Sequence, residues 1–481
     1  MHVSRPFATS ALLRRFSLPL LYVAAALTFI VSSIMTWHLV SGRSWNLFYS
    51  EGLPDNDYGR GPFFSAQAQS LLSGRLSVPP ETLYGECFES AGECFGYFGL
   101  TPSLLRMPWI LAGRVMDLTS VSMVLGISLG IAISLGTFLL IFKRYGPPPE
   151  TWGWYEVALI SLVLLALGPG NLLFQVTDSR IFMESVVWAT SLILGAVLSL
   201  VMWLSNRKRF WLWLAVVVAC LAANARPSAG AAAIGLALVL TIYLWRSATF
   251  SLPTLLPVIM LALLPLGTVA LSYQLKFNSP VPDLTINESI AGRGPMETRD
   301  RWSDVLRSNG GKTLSVDFVL SHAWAALRPD AIGVKWDPPR SAYFARSSDE
   351  TFTFVPPTPR GGLYVQPTGS LTTLASGPLV FLVAALGAAL FRPSLLGARV
   401  RVLTGLALGS GLGLGMTWLT VGVANRYLLD AWAMLVLGSS VGVTTLTYLK
   451  PVSSAGRWTV VSCLAVATFP GVVLGRLLTG L

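Results

Sequence analysis

The sequence predicts an all-α polytopic membrane protein of about eleven transmembrane helices, with interfacial helices in a first outer loop and a second, long outer loop. Three observations predict it. The chain is 53% apolar and only 12% charged, with a mean hydropathy of +0.62, which excludes a soluble multidomain enzyme at 481 residues. Apolar runs of near bilayer-spanning length recur along it, a bilayer core of about 30 Å needing about 20 residues at helical rise. The formal charge of +11 falls in short clusters bordering those runs: Arg14/Arg15, Lys143/Arg144, Arg207/Lys208/Arg209 and Arg399/Arg401. That distribution fixes membrane orientation. A nucleic-acid partner is excluded, because its groove would need a basic face interleaved with exposed aromatics.

The expected spans are 17–40, 119–142, 153–168, 182–204, 211–225, 228–245, 253–275, 376–391, 402–421, 427–449 and 458–477. The first reads as a permanent anchor, since its apolar core is too long for a signal peptide and Trp37-His38 replaces a small-residue cleavage site. With Arg5, Arg14 and Arg15 in the cytoplasm, alternation brings every basic cluster, Arg246 and Lys450 inside. It places 41–118 and 276–370 outside a plasma membrane. Three regions follow: an N-terminal transmembrane module, 1–275, carrying the first outer loop 41–118; the long extracytoplasmic loop 276–370; and C-terminal transmembrane helices, 371–481. The 211–225 and 228–245 pair is short and joined by Asn224-Ala225-Arg226-Pro227-Ser228.

Cys87 and Cys94, in the outer loop, are read as a disulfide; Cys220 and Cys463 lie inside apolar runs. No His or third Cys lies near enough to complete a zinc site. The Gly405, Gly409, Gly411, Gly413, Gly415 series stands in an apolar helix and reads as close helix packing rather than a phosphate loop. No nucleotide-binding glycine motif and no internal repeat is present, so an ATP-driven pump has no visible engine.

The first outer loop carries Glu51, Asp55 and Asp57, then Phe64, Ala68, Leu71 and Leu72 at helical spacing with Gly74 after them. The spacing predicts an amphipathic helix in the membrane interface. Thr101-Pro102 offers an N-cap and first-turn proline to a second short helix containing Leu104, Leu105, Arg106 and Ile110. The long loop is evenly charged, Pro-rich at Pro338-Pro339 and Pro356-Pro357-Thr358-Pro359, and predicts helices at 296–308 and 313–328 lying over the bundle.

Charge inside the membrane marks function by default. Glu184 stands in an otherwise apolar helix, one turn after Asp178-Ser179-Arg180, where pairing with Arg180 at i, i+4 is the alternative reading. Arg106, Arg226 and Arg426, the last just before Tyr427, fall on the side of the outer acids. They read as a site for an anionic lipid head, or as headgroup anchors. For Asp55-Asn56-Asp57 beside Gly59, an ordinary solvated turn is the alternative.

The chain resembles the GT-C superfamily of polytopic glycosyltransferases, which take sugars from polyprenyl-phosphate carriers. Glu51, Asp55 and Asp57 stand where that superfamily keeps its catalytic acid, and Phe63 to Gly74 is similar to the YxxxAxxLLxG stretch after it. More narrowly it resembles a group of actinobacterial GT-C-like membrane proteins. The matching words are Gly96-Tyr97-Phe98-Gly99, Leu104-Leu105-Arg106-Met107-Pro108, Glu184 before Trp188, Ala225-Arg226-Pro227, Asn309-Gly310-Gly311, Leu327-Arg328-Pro329-Asp330 and Arg426-Tyr427-Leu428-Leu429-Asp430. The chain departs from the pattern at Ser65, where an Asp often stands, and no Asp-Glu pair opens the loop.

The resemblance implies transfer of a sugar from a lipid-phosphate-linked donor to a glycan, lipid or protein acceptor in the cell envelope, as in cell-wall biosynthesis. Asp57 is the expected general base, with Asp55 second; Glu184 assists the base or, like Asp178, positions a sugar hydroxyl. Arg426, Arg226, Arg106, Tyr427 and Glu51 complete the substrate-binding set. The acids suit mechanisms with a divalent cation and mechanisms without one. Two other classes stay open: a flippase for a lipid-linked saccharide, which the buried Glu184 would serve, and a non-catalytic scaffold descended from a transferase.

Overall fold

The computed structural model describes residues 9–41, 45–47, 62–83, 88–113, 119–170, 172–173, 181–247, 251–280, 315–327, 335–337, 340–343, 364–365, 371, 375–391, 397–420, 422–423, 425–449, 451 and 453–479. All eleven expected spans are helical. They correspond to α1 (Thr9–Val40), α4 (Thr119–Tyr145), α5 (Trp154–Leu167), α6 (Ile181–Asn206), α7 (Phe210–Ala225), α8 (Pro227–Arg246), α9 (Leu252–Phe277), α11 (Ser376–Phe391), the consecutive α12 (Ala398–Ser410) and α13 (Leu412–Thr417), α14 (Trp432–Tyr448) with a 3₁₀ turn Asn425–Ala431 before it, and α15 (Ser454–Thr479). Among the described residues, seven helices are long and apolar enough to cross a membrane; α5, α7 and α11 are apolar but shorter. The remaining helices, α2 (Phe63–Leu72), α3 (Thr101–Leu111) and α10 (Val319–Leu327), belong to the two predicted outer loops. Strands occur only as two-stranded ribbons among the described residues.

Helices α6 and α14 are almost wholly enclosed, whereas α1 and α9 mostly face outward. Trp432 of α14, fully buried, donates its indole N–H to Ser134 Oγ of α4 at 3.3 Å, so residues beyond 371 share one core with the N-terminal helices. The glycine series behaves as packing chemistry predicts, apart from Gly415. A Cβ on Gly235 of α8 would lie 1.9 Å from the Gly409 carbonyl oxygen, and one on Gly409 2.6 Å from the Gly235 oxygen. Two backbones meet there because neither residue has a side chain. Gly405 and Gly413 also face α8, and Gly411 faces Met434, but Gly415 has nothing within 4 Å of its Cβ direction.

One end of the bundle carries the basic clusters and an aromatic belt. Trp154, Phe210, Trp245 and Trp458 are exposed there, with Trp154 and Trp458 stacked at 4.4 Å. Arg207, in the tight α6–α7 turn, lies 4.8 Å over the Trp203 ring and bonds the Tyr243 hydroxyl. At the other end the exposed tryptophans are Trp37, Trp45 and Trp109. Amphipathic rings thus stand at both ends of the bundle, where a membrane protein keeps them.

The expected helix at 313–328 is present as a 3₁₀ turn, Val316–Phe318, running into α10; the one expected at 296–308 lies outside the described residues.

The glycine contact generates a measurable contrast. Gly409→Ala forces the α8 and α12 backbones apart, costing about 1–3 kcal/mol, and lowers the thermal unfolding midpoint of the detergent-purified protein, while Gly415→Ala leaves it unchanged.

Candidate functional site

The described residues of the predicted first outer loop fold as a small unit against the bundle. Phe63, Phe64, Val78, Leu83, Cys94 and Phe98 form its own apolar core. The β1 (Phe88–Ser90) and β2 (Glu93–Phe95) hairpin pairs Phe88 with Phe95 and turns through Ala91 and Gly92, both at positive φ, the conformation of a two-residue hairpin turn. Cys94 is disulfide-bonded, whereas Cys220 and Cys463 are free; Cys87 lies outside the described residues. The expected amphipathic face of α2 exists, but it turns into protein. Phe64 and Ala68 have no exposed surface; only Leu72 is open. The open apolar surface belongs to α3, through Leu104, Leu105, Trp109 and Leu111.

Two grips hold this unit. In the first, Arg106 of α3 donates from Nη2 to Glu184 Oε2 of α6 at 2.7 Å and to Thr119 Oγ1 at 3.1 Å, and from Nη1 to Ser65 Oγ of α2 at 3.0 Å. Ser122 Oγ donates to the second carboxylate oxygen, Glu184 Oε1, at 2.6 Å and accepts from the Trp188 indole at 2.9 Å. Both charged side chains are buried, at 3% and 0% exposure. Gln67 of α2 and Ser103 of α3 add a buried bond of 2.6 Å alongside. A buried carboxylate and guanidinium each carry a desolvation cost of several kcal/mol, which only close pairing and saturated hydrogen bonding offset. Here four elements supply them, save at Arg106 Nε, which is buried without a hydrogen-bond partner among the described residues.

The second grip holds residues 96–99. Lys276, at the end of α9, donates to the carbonyls of Gly96 at 3.1 Å and Phe98 at 2.8 Å, and the Tyr273 hydroxyl reaches the Tyr97 carbonyl at 3.3 Å. A Cβ on Gly96 would sit 2.4 Å from the Phe63 ring, and one on Gly99 1.5 Å from the Asn224 carbonyl oxygen, so both positions require glycine. Thr101 does not cap α3 through its side chain. Its hydroxyl instead donates to the Leu221 carbonyl of α7 at 2.6 Å.

Beside Asn224, Arg226 pairs with Asp430 at 3.1 Å; its guanidinium carbon lies 4.9 Å from the Tyr427 ring centroid, and Ser228 donates to Asp430 Oδ1 at 2.7 Å. This cluster joins the α7–α8 turn to the start of α14. Arg226 keeps 14% of its side chain exposed, unlike Arg106.

The words singled out in the sequence thus divide in space. Arg106 meets Glu184, and Ala225-Arg226-Pro227 meets Tyr427 and Asp430. Glu184 is held by Arg106; Arg180 and Asp178 lie outside the described residues. So do Glu51, Asp55, Asp57 and Asn309-Gly310-Gly311, and Arg426 is described only as part of the 3₁₀ turn Asn425–Ala431. Of the three arginines, the two whose side chains are described each pair with a carboxylate, Arg106 with Glu184 and Arg226 with Asp430. Sequence reasoning missed Ser122 and Thr119, plain hydroxyls in a helix, and Lys276, whose placement one residue past an expected span was the available signal. Among the described residues no three His, Cys, Asp or Glu side chains gather as a metal site.

No family model matches the chain, and no characterised protein matches it by sequence. Solved structures with a related path are those of the Archaeoglobus fulgidus oligosaccharyltransferase: the apo form, at 13% identity and TM-score 0.47, the complex with an inhibitory peptide and a dolichol-phosphate, at 13% and 0.48, and the form tethered to an acceptor peptide, at 12% and 0.49. The matches cover 95% of this chain but 56%, 56% and 55% of the respective oligosaccharyltransferase chains. At that level the likeness carries no residue-by-residue correspondence.

The Arg106–Glu184 pair predicts non-additive mutants. Glu184→Gln or Arg106→Met alone leaves a buried group unpaired and costs about 3–5 kcal/mol; the double variant loses less than the sum, read by thermal unfolding in detergent across the four-member cycle. Additive losses would mean that the pair is not the lock described.

Proposed function

We propose that the chain is a polytopic membrane glycosyltransferase of the GT-C type, moving a sugar from a polyprenyl-phosphate-linked donor to an extracytoplasmic glycan, lipid or protein acceptor. The observation that carries the reading is the lock that follows the acid-bearing segment in the chain. Upstream of it, Trp45 is tied back to α1 through Ser41 Oγ at 3.0 Å and the Trp37 indole at 2.9 Å; downstream, α2 is fixed by Ser65 and Arg106. Glu51, Asp55 and Asp57 fall between these two fixed points. A catalytic base must be held to within a fraction of an ångström of its substrate, and an ordinary solvated turn needs no such foundation.

The transfer is an in-line displacement. Asp57, with Asp55 as the second choice, takes the proton of the acceptor hydroxyl as its oxygen attacks the anomeric carbon; the bond from that carbon to the phosphate oxygen breaks, and the lipid phosphate leaves with the electron pair. Charge growing on the phosphate is met by Arg426 and by Arg226, which Asp430 and Tyr427 hold in a fixed pose. Asp178, Tyr427 and Glu51 orient the donor. We assign Glu184 and Arg106 a positioning role rather than the catalytic and substrate-binding roles the resemblance implies, because each is buried and occupied by the other. Glu51, Asp55 and Asp57 have the hard oxygen donors a divalent cation takes, but no step of this transfer requires one.

The same reading sets the end bearing Lys143, Arg144 and Arg207 to Arg209 in the cytoplasm of the cell and both loops outside the plasma membrane. The three regions 1–275, 276–370 and 371–481 then act as a site-bearing membrane module, an outer loop and a closing set of helices.

Purified protein incubated with a panel of radiolabelled polyprenyl-phosphate sugars tests the proposal. Wild type transfers or hydrolyses one donor, and Asp57→Asn lowers turnover by about 10²–10⁴-fold, the usual worth of a general base, with an unchanged unfolding midpoint. Tight binding of a donor without turnover, or movement of it across vesicles that survives Asp57→Asn, would replace the transferase by the flippase reading.

A further inference from the structure

The long outer loop contains a helix whose surroundings are at odds with water. From Val319 to Leu327, the sequence VLSHAWAAL, α10 holds no acidic or basic residue other than a histidine. His322 is buried and donates from Nε2 to the Thr420 carbonyl at 2.8 Å, and burial holds its ring below the ordinary histidine pKa. The Ser315 N–H donates to the Leu419 carbonyl at 2.8 Å. Residues 419 and 420 follow directly on α13, the end of the apolar stretch Ala398–Thr417 that is long enough to span a bilayer. These bonds seat the segment across the end of that stretch, at the level where a bilayer stops.

Asp317 is the segment's one acidic residue, half-buried and accepting from the Ser315 hydroxyl at 3.0 Å. Phe318, His322 and Ala326 are buried against the bundle. Val316, Leu320 and Leu327 are open, at 76%, 78% and 46%. Within α10, at about 100° per residue, Leu320 and Leu327 fall about 20° apart on one side, and Val316 stands open on the 3₁₀ turn that leads into it. A helix standing in water keeps its outward face polar; one lying in the headgroup region keeps it apolar.

We propose that Val316–Leu327 is a membrane-surface helix whose Val316, Leu320 and Leu327 side chains sink into the boundary between headgroups and acyl chains. The lipid surface is its partner, and the long loop is pinned to the bilayer as well as to the bundle. Helix α3 exposes Leu104, Leu105, Trp109 and Leu111 in the same manner, so each outer loop contributes one such helix. This assignment requires only that the chain spans a membrane, and stands apart from the transferase reading.

The test is spin-label accessibility in the full chain, reconstituted in vesicles of phosphatidylethanolamine and phosphatidylglycerol. Cys220→Ala and Cys463→Ala clear the free thiols, and labels go singly at Val316→Cys and Leu320→Cys. Both positions are open, so neither substitution disturbs packing. Leu263→Cys on the exposed face of α9 gives the lipid reference, and Lys208→Cys in the α6–α7 turn gives the aqueous one. Both loop labels are expected to respond to oxygen more than to a water-soluble nickel chelate, like Leu263→Cys. A nickel-dominated response matching Lys208→Cys would overturn the proposal, as would exclusion of both reagents, which would mean that protein covers these positions.

Discussion

The structure depends on one buried ion pair. Arg106 and Glu184 meet at 2.7 Å with almost no exposure, and the groups around them belong to α2, the start of α4, α3 and α6. In a low-dielectric interior a charge without its partner is too costly to keep, so the pair tolerates no intermediate geometry: the outer helices are docked or the bundle holds two uncompensated charges. That all-or-none character is what a lipid-facing surface lacks. Apolar side chains are as well solvated by acyl chains as by each other, and the hydrophobic effect alone would let α2 and α3 slide over the bundle.

The second grip uses the opposite chemistry. Around residues 96–99 the approach is so close that a single methyl group would overlap the Phe63 ring at Gly96 or the Asn224 backbone at Gly99, and the freed carbonyls are met by Lys276 Nζ. Side-chain charge fixes α3 to α6, while the backbone itself fixes the preceding turn to α7 and α9. The outer unit is therefore held at two points and cannot rotate about either.

The helices were legible in the sequence because an apolar run of spanning length, placed in a bilayer, can satisfy its own backbone only by coiling into a helix. Less was legible about faces. Phe64 and Ala68 recur at helical spacing whether they face lipid or protein, and the structure turns them to protein. Glu184 announced itself as a charge in an apolar helix, yet its partner lies 78 positions away, beyond any local spacing rule; the i, i+4 neighbour was the only partner a sequence could offer. Lys276 shows the same limit. A lysine just past a span looks like an interfacial anchor, and only the fold reveals carbonyls closing over it.

The two described arginines indicate how the site divides its labour. Arg106 is spent on structure: every contact it makes joins helices, and its burial leaves no face for a ligand. Arg226 is held by Asp430 through one nitrogen and lies over the Tyr427 ring, with part of its surface open. A guanidinium has five donors in a planar fork, the geometry that matches the oxygens of a phosphate. Such fixing lowers the side-chain entropy lost on binding an anion, and Asp430 tempers the charge without cancelling its directionality. A headgroup anchor has no use for that constraint, because a snorkelling arginine works best when free to follow the lipid. The carboxylate and ring around Arg226 thus suit the phosphate-facing role proposed for it better than an anchor's, whereas the burial of Arg106 leaves that arginine no such role.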